Sequence, residues 1–255
     1  MDIFLFSILV IFCYMTLWFI ISVLKKRSDV ADIAWGLGFV VLAWSLYSLN
    51  TDNTMLLLAS LLISIWGLRL SSHIFLRNRK KDEDYRYQEM RQKWGKWAAP
   101  RTYLQVFMLQ GGLLLLISAP LIGFAMYPNN ALTPIIYVGL GIWLIGFMFE
   151  VIGDYQLRAF IKDPQNKGKI MQYGLWRYTR HPNYFGEVTQ WWAVWLLGYG
   201  LTSFFWTIIG PLTITFLILK VSGIPLLENK YAGNKQYEKY KRRTSMFIPW
   251  APKKG

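Results

Sequence analysis

The stretch IFLFSILVIFCYMTLWFIISVL, residues 3–24, decides the fold because it contains no charged side chain over its whole length. A helix that crosses the hydrocarbon core of a bilayer needs about 20 apolar residues. Lys25, Lys26 and Arg27 follow at once, as expected at the cytoplasmic end of a retained helix. A secretory signal would instead carry its basic residues before the apolar run and a small-residue cleavage site after it. The sequence therefore predicts a first membrane-spanning helix.

Working outward from this stretch, further apolar runs long enough to span a bilayer recur along the chain. They cover residues 31–49, 55–76, 103–125, 134–157, 184–199 and 203–221. The chain is 54% hydrophobic and 17% aromatic, which exceeds the apolar content usual for a soluble domain. No hydrophilic stretch is long enough for a separate soluble domain. The prediction is an all-α fold, a polytopic membrane helical bundle of about seven transmembrane helices, formed by residues 1–255 as a single domain.

The basic residues are distributed very unevenly between the connections. Residues 25–30, 77–102, 158–183 and 220–255 hold 27 of the 28 Lys and Arg residues, whereas the connections 50–54, 126–133 and 200–202 hold none. Cytoplasmic loops are enriched in Lys and Arg, so we expect the N-terminus outside and the C-terminus in the cytoplasm. Because of this placement, we attribute the net charge of +14 to membrane topology and to attraction for anionic lipids. We do not attribute it to nucleic-acid binding.

The sequence offers little for metal binding. Cys13 is the only cysteine, which excludes an intramolecular disulfide and a cysteine-based metal site. The two histidines fall on different predicted helices, without an HxxxH or HxxE spacing. We therefore predict no metal site.

Arg69 lies inside the third predicted helix, where lipid should not tolerate it. It is about seven residues, or roughly 10 Å, from the inner end of that helix, and an unpaired charge at that depth costs a few kcal/mol or more. His73 and Arg77 follow at intervals of four, on the same face. Snorkelling to the interface accounts for Arg77. For Arg69 the sequence favours an inward polar cavity over snorkelling.

Carboxylates form a second set of polar residues near helix ends. Glu150, Asp154 and Arg158 are again spaced by four, and Asp154 with Arg158 could simply form an i,i+4 pair. Both carboxylates need partners, and Arg69 is a candidate. Asp32 lies one turn into the second helix, where a structural capping role and a functional role are equally open.

The densest polar cluster is YGLWRYTRHPNYFGE, residues 173–187. Pro182 suits the first turn of a helix, and a helix N-terminus beside Arg180 and His181 is an anion-binding arrangement. Asn183 and Glu187 are one turn apart and are expected to point into the bundle. Capping by Asn183 alone does not explain why so many polar side chains converge at one membrane entrance.

The motif RHPNYFGE at 180–187 resembles the signature of the steroid 5α-reductase and sterol reductase superfamily, including its bacterial membrane relatives. The resemblance extends to DYQLR at 154–158, EKY at 238–240, IP at 248–249, SDVADIAWG at 28–36 and DYRY at 84–87. Membrane isoprenylcysteine and phospholipid methyltransferases share an Arg-His-Pro-x-Tyr core. The presence of both Asn183 and Glu187 favours the reductases.

The resemblance implies a seven-helix bundle that holds NADPH near the cytosolic face and reduces an activated carbon–carbon double bond. It implies that residues 1–102 form the substrate side and residues 103–255 the cofactor side. It assigns the cofactor contacts to Arg69, Arg77, Asp154, Arg158, Arg180, His181, Asn183, Tyr184, Glu187, Tyr240 and Arg243. Arg69 would lie near the phosphates.

One departure from the family pattern concerns catalysis. Trp66 stands where steroid reductases have a tyrosine, three residues before the arginine of the third helix. Tryptophan cannot act as a general acid, so another residue must donate the proton. Asp32 is the first candidate and Tyr184 the second.

The predicted function is an NADPH-dependent membrane reductase that acts on the enone of a lipophilic, steroid-like or isoprenoid substrate taken from the bilayer. The resemblance places it in a bacterial inner membrane. Two alternatives stay open: a membrane methyltransferase that uses S-adenosylmethionine, and a transporter or lipid-binding protein in which Arg69 and Asp154 form an ion relay.

Overall fold

The computed structural model describes residues 2–128, 133–199 and 204–253, and the prediction of an all-helical fold is confirmed over these residues. The chain divides into two compact units. The first comprises Met1–Ala131 with Gly200–Gly210, and the second Leu132–Tyr199 with Pro211–Gly255. The description of the whole chain as one domain, with its division after residue 102, stays a prediction.

The first unit is built from long apolar helices joined by short polar turns. Its helices are α1 (Ile3–Lys25), α2 (Val30–Tyr47), α3 (Thr54–Asn78), α4 (Tyr85–Trp94), α5 (Ala98–Thr102), α6 (Leu109–Ile117) and α7 (Ala119–Met126). A π-helical stretch, Tyr103–Met108, makes α5 and α6 continuous. Asn53 caps α3, because its side-chain oxygen accepts a hydrogen bond from Leu56 N. Its side-chain amide also donates to the Phe124 carbonyl at 2.7 Å.

The second unit contains one long helix, one helix of intermediate length and a set of short ones. They are α8 (Pro134–Lys162), α9 (Pro182–Leu197), α11 (Ile224–Asn229) and α12 (Lys235–Arg243). The remaining helix, α10 (Ile209–Phe216), begins in the first unit and continues into the second.

Five helical segments among the described residues are long and apolar enough to cross a membrane. They are α1, α2, α3, α8 and the segment Phe205–Asn229 that contains α10 and α11. The number rises to six if two helical segments that meet at a bend of 53°, Tyr85–Ile117 and Ala119–Met126, count together as one span. The predicted span 184–199 corresponds to α9, whose 16 residues are fewer than the roughly 20 that a spanning helix needs. The chain is an integral membrane protein.

The bend in the sixth span has a local cause. Pro120 lies in the first turn of α7, where it has no N–H to donate to the preceding turn and its ring crowds the backbone there. The predicted apolar run 103–125 is therefore broken at Ser118. The connections 126–133 and 200–202, predicted to lie outside the membrane, fall largely outside the described residues.

A close crossing of α8 and α9 forms the core of the second unit. A Cβ atom on Gly186 of α9 would lie 2.4 Å from the carbonyl oxygen of Gly146 on α8. Such a distance is far inside van der Waals contact, so both helices must carry glycine where they cross. Gly153, seven residues after Gly146, would place a Cβ atom 3.2 Å from Asn183 N. The same face of α8 thus meets the opening turn of α9, which carries the polar motif.

Candidate functional site

The loop that leads into α9 is fixed to the end of α8 by two hydrogen bonds. Gly174 turns the chain with a φ of 58°, a region that favours glycine. The backbone N–H of Leu175 then donates to Gln156 Oε1 at 2.9 Å, and Trp176 Nε1 donates to the Gly153 carbonyl at 3.1 Å. Pro182 opens α9, as its position in the motif predicts. The segment between Gly174 and Pro182 is therefore held against α8.

Asn183 and Asp154 are brought together at the crossing of α8 and α9. Asn183 Nδ2 donates to Asp154 Oδ1 at 3.2 Å, and both side chains are half-buried. Asn183 does not cap α9, because the N-cap residue is His181. Glu187 is half-buried one turn further along α9, and Arg158 is exposed one turn further along α8. These four are among the eleven residues to which the resemblance assigns contacts with the cofactor.

Deeper in the same crossing, Glu150 has a polar partner within its own unit. It is 2% exposed, and its Oε2 accepts from Gln190 Nε2 at 2.6 Å. A carboxylate buried at this depth needs such a partner. Nothing in the sequence singles out Gln190 as this partner, and the pairing of Glu150 with Arg69 stays a prediction.

Arg180 is occupied almost completely by protein groups. It is 6% exposed, and its Nε donates to Glu228 Oε1 at 2.9 Å. One terminal nitrogen contacts the same oxygen at 2.8 Å, and the other donates to the carbonyls of Lys241 and Thr244 at 3.0 and 2.9 Å. A guanidinium group has five N–H donors, so at most one of them is left for a ligand. This geometry favours a structural role over the predicted anion-binding role.

His181 is buried beside Arg180 and contacts the same carboxylate. It is 4% exposed, and its Nε2 lies 3.2 Å from Glu228 Oε1. Burial lowers the pKa of His181, an effect that the hydrogen bond with Glu228 opposes. Its ring stacks on Tyr184, with ring centroids 5.8 Å apart. His181 is therefore an uncharged group near neutral pH, and it does not supply the positive charge expected of an anion site.

Tyr240 and Arg243 lie on α12 in very different surroundings. Tyr240 is 4% exposed and donates its hydroxyl to the Trp176 carbonyl, and burial raises the pKa of Tyr240 above its ordinary value. Arg243, the last residue of α12, is exposed. Tyr240 thus holds α12 against the loop before α9, while the Arg243 guanidinium faces outward. Their predicted contacts with the cofactor stay predictions.

In the first unit, Asp32 joins the start of α2 to α4. Tyr87 donates its hydroxyl to Asp32 Oδ1 at 2.6 Å, and Arg86 contacts Asp32 Oδ2 at 3.3 Å. Both oxygens of the Asp32 carboxylate are therefore occupied by protein groups. The geometry therefore favours a structural role for Asp32 over that of the proton donor.

The neighbouring Asp29 is paired with an arginine of the turn before α2. Its side chain makes no capping bond and instead receives two hydrogen bonds from Arg27, at 3.0 and 2.8 Å. Asp29 is 2% exposed. This pair holds the turn between α1 and α2.

Exposure increases along the polar stripe of α3. Arg69 and His73 are half-buried, whereas Arg77 is exposed and donates from its Nε to Asn78 Oδ1 at 3.1 Å. Trp66, one turn before this stripe, is 1% exposed, with its ring 5.5 Å from that of Phe39. Trp66, which stands where steroid reductases have a tyrosine, is thus a core side chain of the first unit.

A family model described as "Protein of unknown function (DUF1295)" matches residues 18–244 of the chain. The chain belongs to the DUF1295 family. The match includes both units and every residue named above as a site candidate.

This DUF1295 protein is also similar to steroid dehydrogenases. It is 30% identical to "3-oxo-5-alpha-steroid 4-dehydrogenase 1" of Homo sapiens over 127 residues, which are 49% of this chain and 46% of the relative. It is 26% identical to "3-oxo-5-alpha-steroid 4-dehydrogenase 2" of Homo sapiens over 156 residues, 59% of this chain and 58% of the relative. The chain spans about half the length of the type 1 relatives that it matches. No solved structure matches the chain.

One residue that joins several segments of the second unit, Glu228, was not identified in the sequence. It contacts Arg180, His181 and, at 3.6 Å, Lys241. The sequence does contain a signal for it, because Glu228 is the only acidic residue between Leu217 and Asn234. Tyr87 and Arg86 belong to the quoted DYRY motif, but their partner Asp32 lies 55 and 54 residues away.

Among the described residues, no group of three or more His, Cys, Asp or Glu side chains is placed to hold a metal ion.

Proposed function

We propose that this DUF1295 protein is a membrane reductase that transfers a hydride from NADPH to an activated C=C bond. The substrate would be a lipophilic, steroid-like or isoprenoid enone drawn from the bilayer. The observation that carries the proposal is the pairing of Asn183 with Asp154, with Glu187 one turn further on α9. The similarity to 3-oxo-5-alpha-steroid 4-dehydrogenases supports the same class of reaction.

The residues at this crossing fit the nicotinamide end of the cofactor. A carboxamide offers two N–H donors and one acceptor, and it needs partners of both kinds. Asn183 donates one N–H to Asp154, and its second N–H and its oxygen can bind the carboxamide. Glu187, when ionised, can only accept a hydrogen bond. Arg158, exposed at the end of α8, suits a phosphate. NADPH supplies the hydride when bound, and these side chains bind and orient it.

Reduction of an enone also requires a proton, and Tyr184 is the better placed of the two predicted donors. The carboxylate of Asp32 accepts hydrogen bonds from Tyr87 and Arg86. Tyr184 follows Asn183 directly on the first turn of α9, is half-buried and has a phenolic proton. We assign to Tyr184 the donation of this proton to the substrate, which is the reverse of the order that the sequence suggested.

We also propose that the site faces the cytoplasm of a bacterial cell, across the inner membrane. The support is the distribution of charge, since 27 of the 28 Lys and Arg residues fall in connections on one predicted side. NADPH is a cytoplasmic metabolite, so this orientation would give the cofactor access to the site.

A panel of nucleotides tests the proposed function on purified protein in nanodiscs. We expect NADPH to raise the melting temperature and to bind more tightly than NADH, because exposed arginines such as Arg158 and Arg243 suit the additional ribose phosphate. Equal affinity for the two nucleotides would contradict this preference. Binding of S-adenosylmethionine without binding of either nicotinamide nucleotide would establish the methyltransferase alternative, and binding of none of them would favour a transporter or lipid-binding protein.

Replacing Asn183 with alanine is expected to weaken NADPH binding about tenfold or more, which corresponds to about 1.4 kcal/mol. Loss of one partner of a buried hydrogen bond costs about 1–3 kcal/mol, and the Glu187→Gln variant is expected to behave similarly. The measurement is a direct titration together with the melting temperature of the nucleotide-free protein. Thr189→Ala is the control, because its hydroxyl bonds only locally, to the Phe185 carbonyl on the same helix. If Asn183→Ala lowers the melting temperature but leaves affinity unchanged, its contact with Asp154 is structural and the cofactor has been misplaced.

A further inference from the structure

The Glu228 carboxylate is the point at which three segments of the second unit meet. Glu228 itself lies on α11, Arg180 and His181 come from the loop before α9, and Lys241 comes from α12. The exposed fractions of the side chains are 13% for Glu228, 6% for Arg180 and 4% for His181. Removing one partner of such a buried ion pair is strongly destabilising, because it leaves an uncompensated buried charge.

This contact decides which nitrogen of His181 carries the proton. Glu228 is paired with Arg180 at 2.8 Å, so it is ionised and can only accept. The Nε2 atom, 3.2 Å away, must therefore be the donor. The other ring nitrogen, Nδ1, is buried without a hydrogen-bond partner among the described residues. Protonating it as well would bury a charged N–H with no acceptor, which is costly.

Burial and the neighbouring charge of Arg180 also resist the protonation of His181. Arg180 places a positive charge beside the ring, which lowers the pKa of His181 together with the larger effect of burial, whereas Glu228 opposes both. Lys241 contacts the far oxygen of Glu228, and Tyr184 covers one face of the ring. His181 is therefore the neutral Nε2–H tautomer.

The same carboxylate fixes the position of the first turn of α9. Arg180, oriented by Glu228, donates to the Lys241 and Thr244 carbonyls, and its own backbone N–H donates to the Ser245 carbonyl at 2.9 Å. His181 is the N-cap of α9, and Pro182 is its first residue. A shift of either side chain would be passed directly to Asn183, two residues after His181.

We propose that Glu228 is a positioning residue, which holds Arg180 and the neutral Nε2–H tautomer of His181 and thereby sets the start of α9 on which Asn183 acts. The consequence for binding rests on the proposed function, whereas the consequence for His181 does not. Glu228 touches no ligand in this role. It acts through the two side chains that it holds.

The tautomer can be tested without any nucleotide. The chain has only two histidines, so ¹⁵N- and ¹³C-labelled histidine gives two sets of imidazole signals, and a His73→Gln variant assigns them. We expect His181 to be the neutral Nε2–H form at about pH 7. Glu228→Leu should abolish this fixed tautomer, whereas Glu228→Gln, which keeps an acceptor oxygen, should retain it. A doubly protonated His181 at this pH, or the same tautomer in Glu228→Leu, would overturn the proposal.

The effect on binding is measured on the same variants. We expect Glu228→Leu to lower NADPH affinity about tenfold or more and Glu228→Gln to lower it less. The control is Glu89→Gln, a change of the same type at an exposed position on α4, with affinity unchanged. Unaltered affinity in folded Glu228→Leu would refute the positioning role. If the wild-type protein binds no NADPH, the proposed function fails, and the imidazole signals still decide whether Glu228 fixes His181.

Discussion

Replacing Arg180 with methionine is expected to lower the stability of the protein by about 3–5 kcal/mol, the cost of removing one partner of a buried ion pair. The substitution leaves Glu228, whose side chain is 13% exposed, without its main counter-charge. It also leaves the carbonyls of Lys241 and Thr244 without their donors. The measurement is denaturant or thermal unfolding in detergent micelles.

Two further variants make this result specific. Arg177→Met changes the same residue type three positions earlier, where the side chain is exposed, and we expect a stability change near zero. The double variant Arg180→Met with Glu228→Leu should be more stable than Arg180→Met alone, because it leaves no unpaired buried charge. If Arg180→Met melts like the wild type and loses only nucleotide affinity, Arg180 is a cofactor ligand, as the motif predicted.

The helices were largely predictable because the bilayer imposes a length on every apolar run. The predicted runs 3–24, 31–49 and 55–76 agree within two residues with α1, α2 and α3, since each is bounded by charged or turn-forming residues. The run 103–125 was predictable in extent but not in shape. Apolar composition does not show that Pro120 breaks the helix, although the residue itself is visible in the sequence.

The candidate site was predictable only in part, for a different physical reason. The side chains of Asn183 and Asp154 were identified by type and spacing, and α8 and α9 do bring them together. The partners of the buried charges were not identified, because Glu228 and Arg180 are 48 residues apart. A sequence shows that a buried arginine needs a carboxylate, but several carboxylates satisfy that need. As a result, Arg180 and His181 were assigned to an anion site, although both contact Glu228 in the structure.

The position of Asn183 relative to Asp154 depends on how closely α8 and α9 approach. The approach is set where Gly146 and Gly186 meet, because each backbone occupies the space that a side chain on the other would need. Gly146 lies two turns before Asp154 on α8, and Gly186 lies three residues after Asn183 on α9. Any residue larger than glycine at this crossing must therefore separate the two polar side chains as well as the helices.

Replacing Gly146 with leucine is accordingly expected to have the largest effect of any single change in the second unit. A Cβ atom there would lie 2.8 Å from the Gly186 carbonyl oxygen and 3.0 Å from Gln190 N, and these are backbone atoms that cannot rotate away. Inserting a few methyl groups into a packed core costs about 1–3 kcal/mol or more, and leucine adds four carbons. We expect loss of the folded protein from detergent extracts, measured by size-exclusion chromatography.

Gly141 provides a matched control on the same helix. It is exposed, and a Cβ atom added to it meets no atom of the described residues within 4 Å, so Gly141→Leu should be extracted and eluted like the wild type. Gly146→Ala, which adds the Cβ atom alone, should give a folded protein with a lower melting temperature and weaker NADPH binding, because Asn183 and Asp154 are moved apart. Normal folding of Gly146→Leu would show that α8 and α9 do not cross at this point, and the pairing of Asn183 with Asp154 would then have no structural basis.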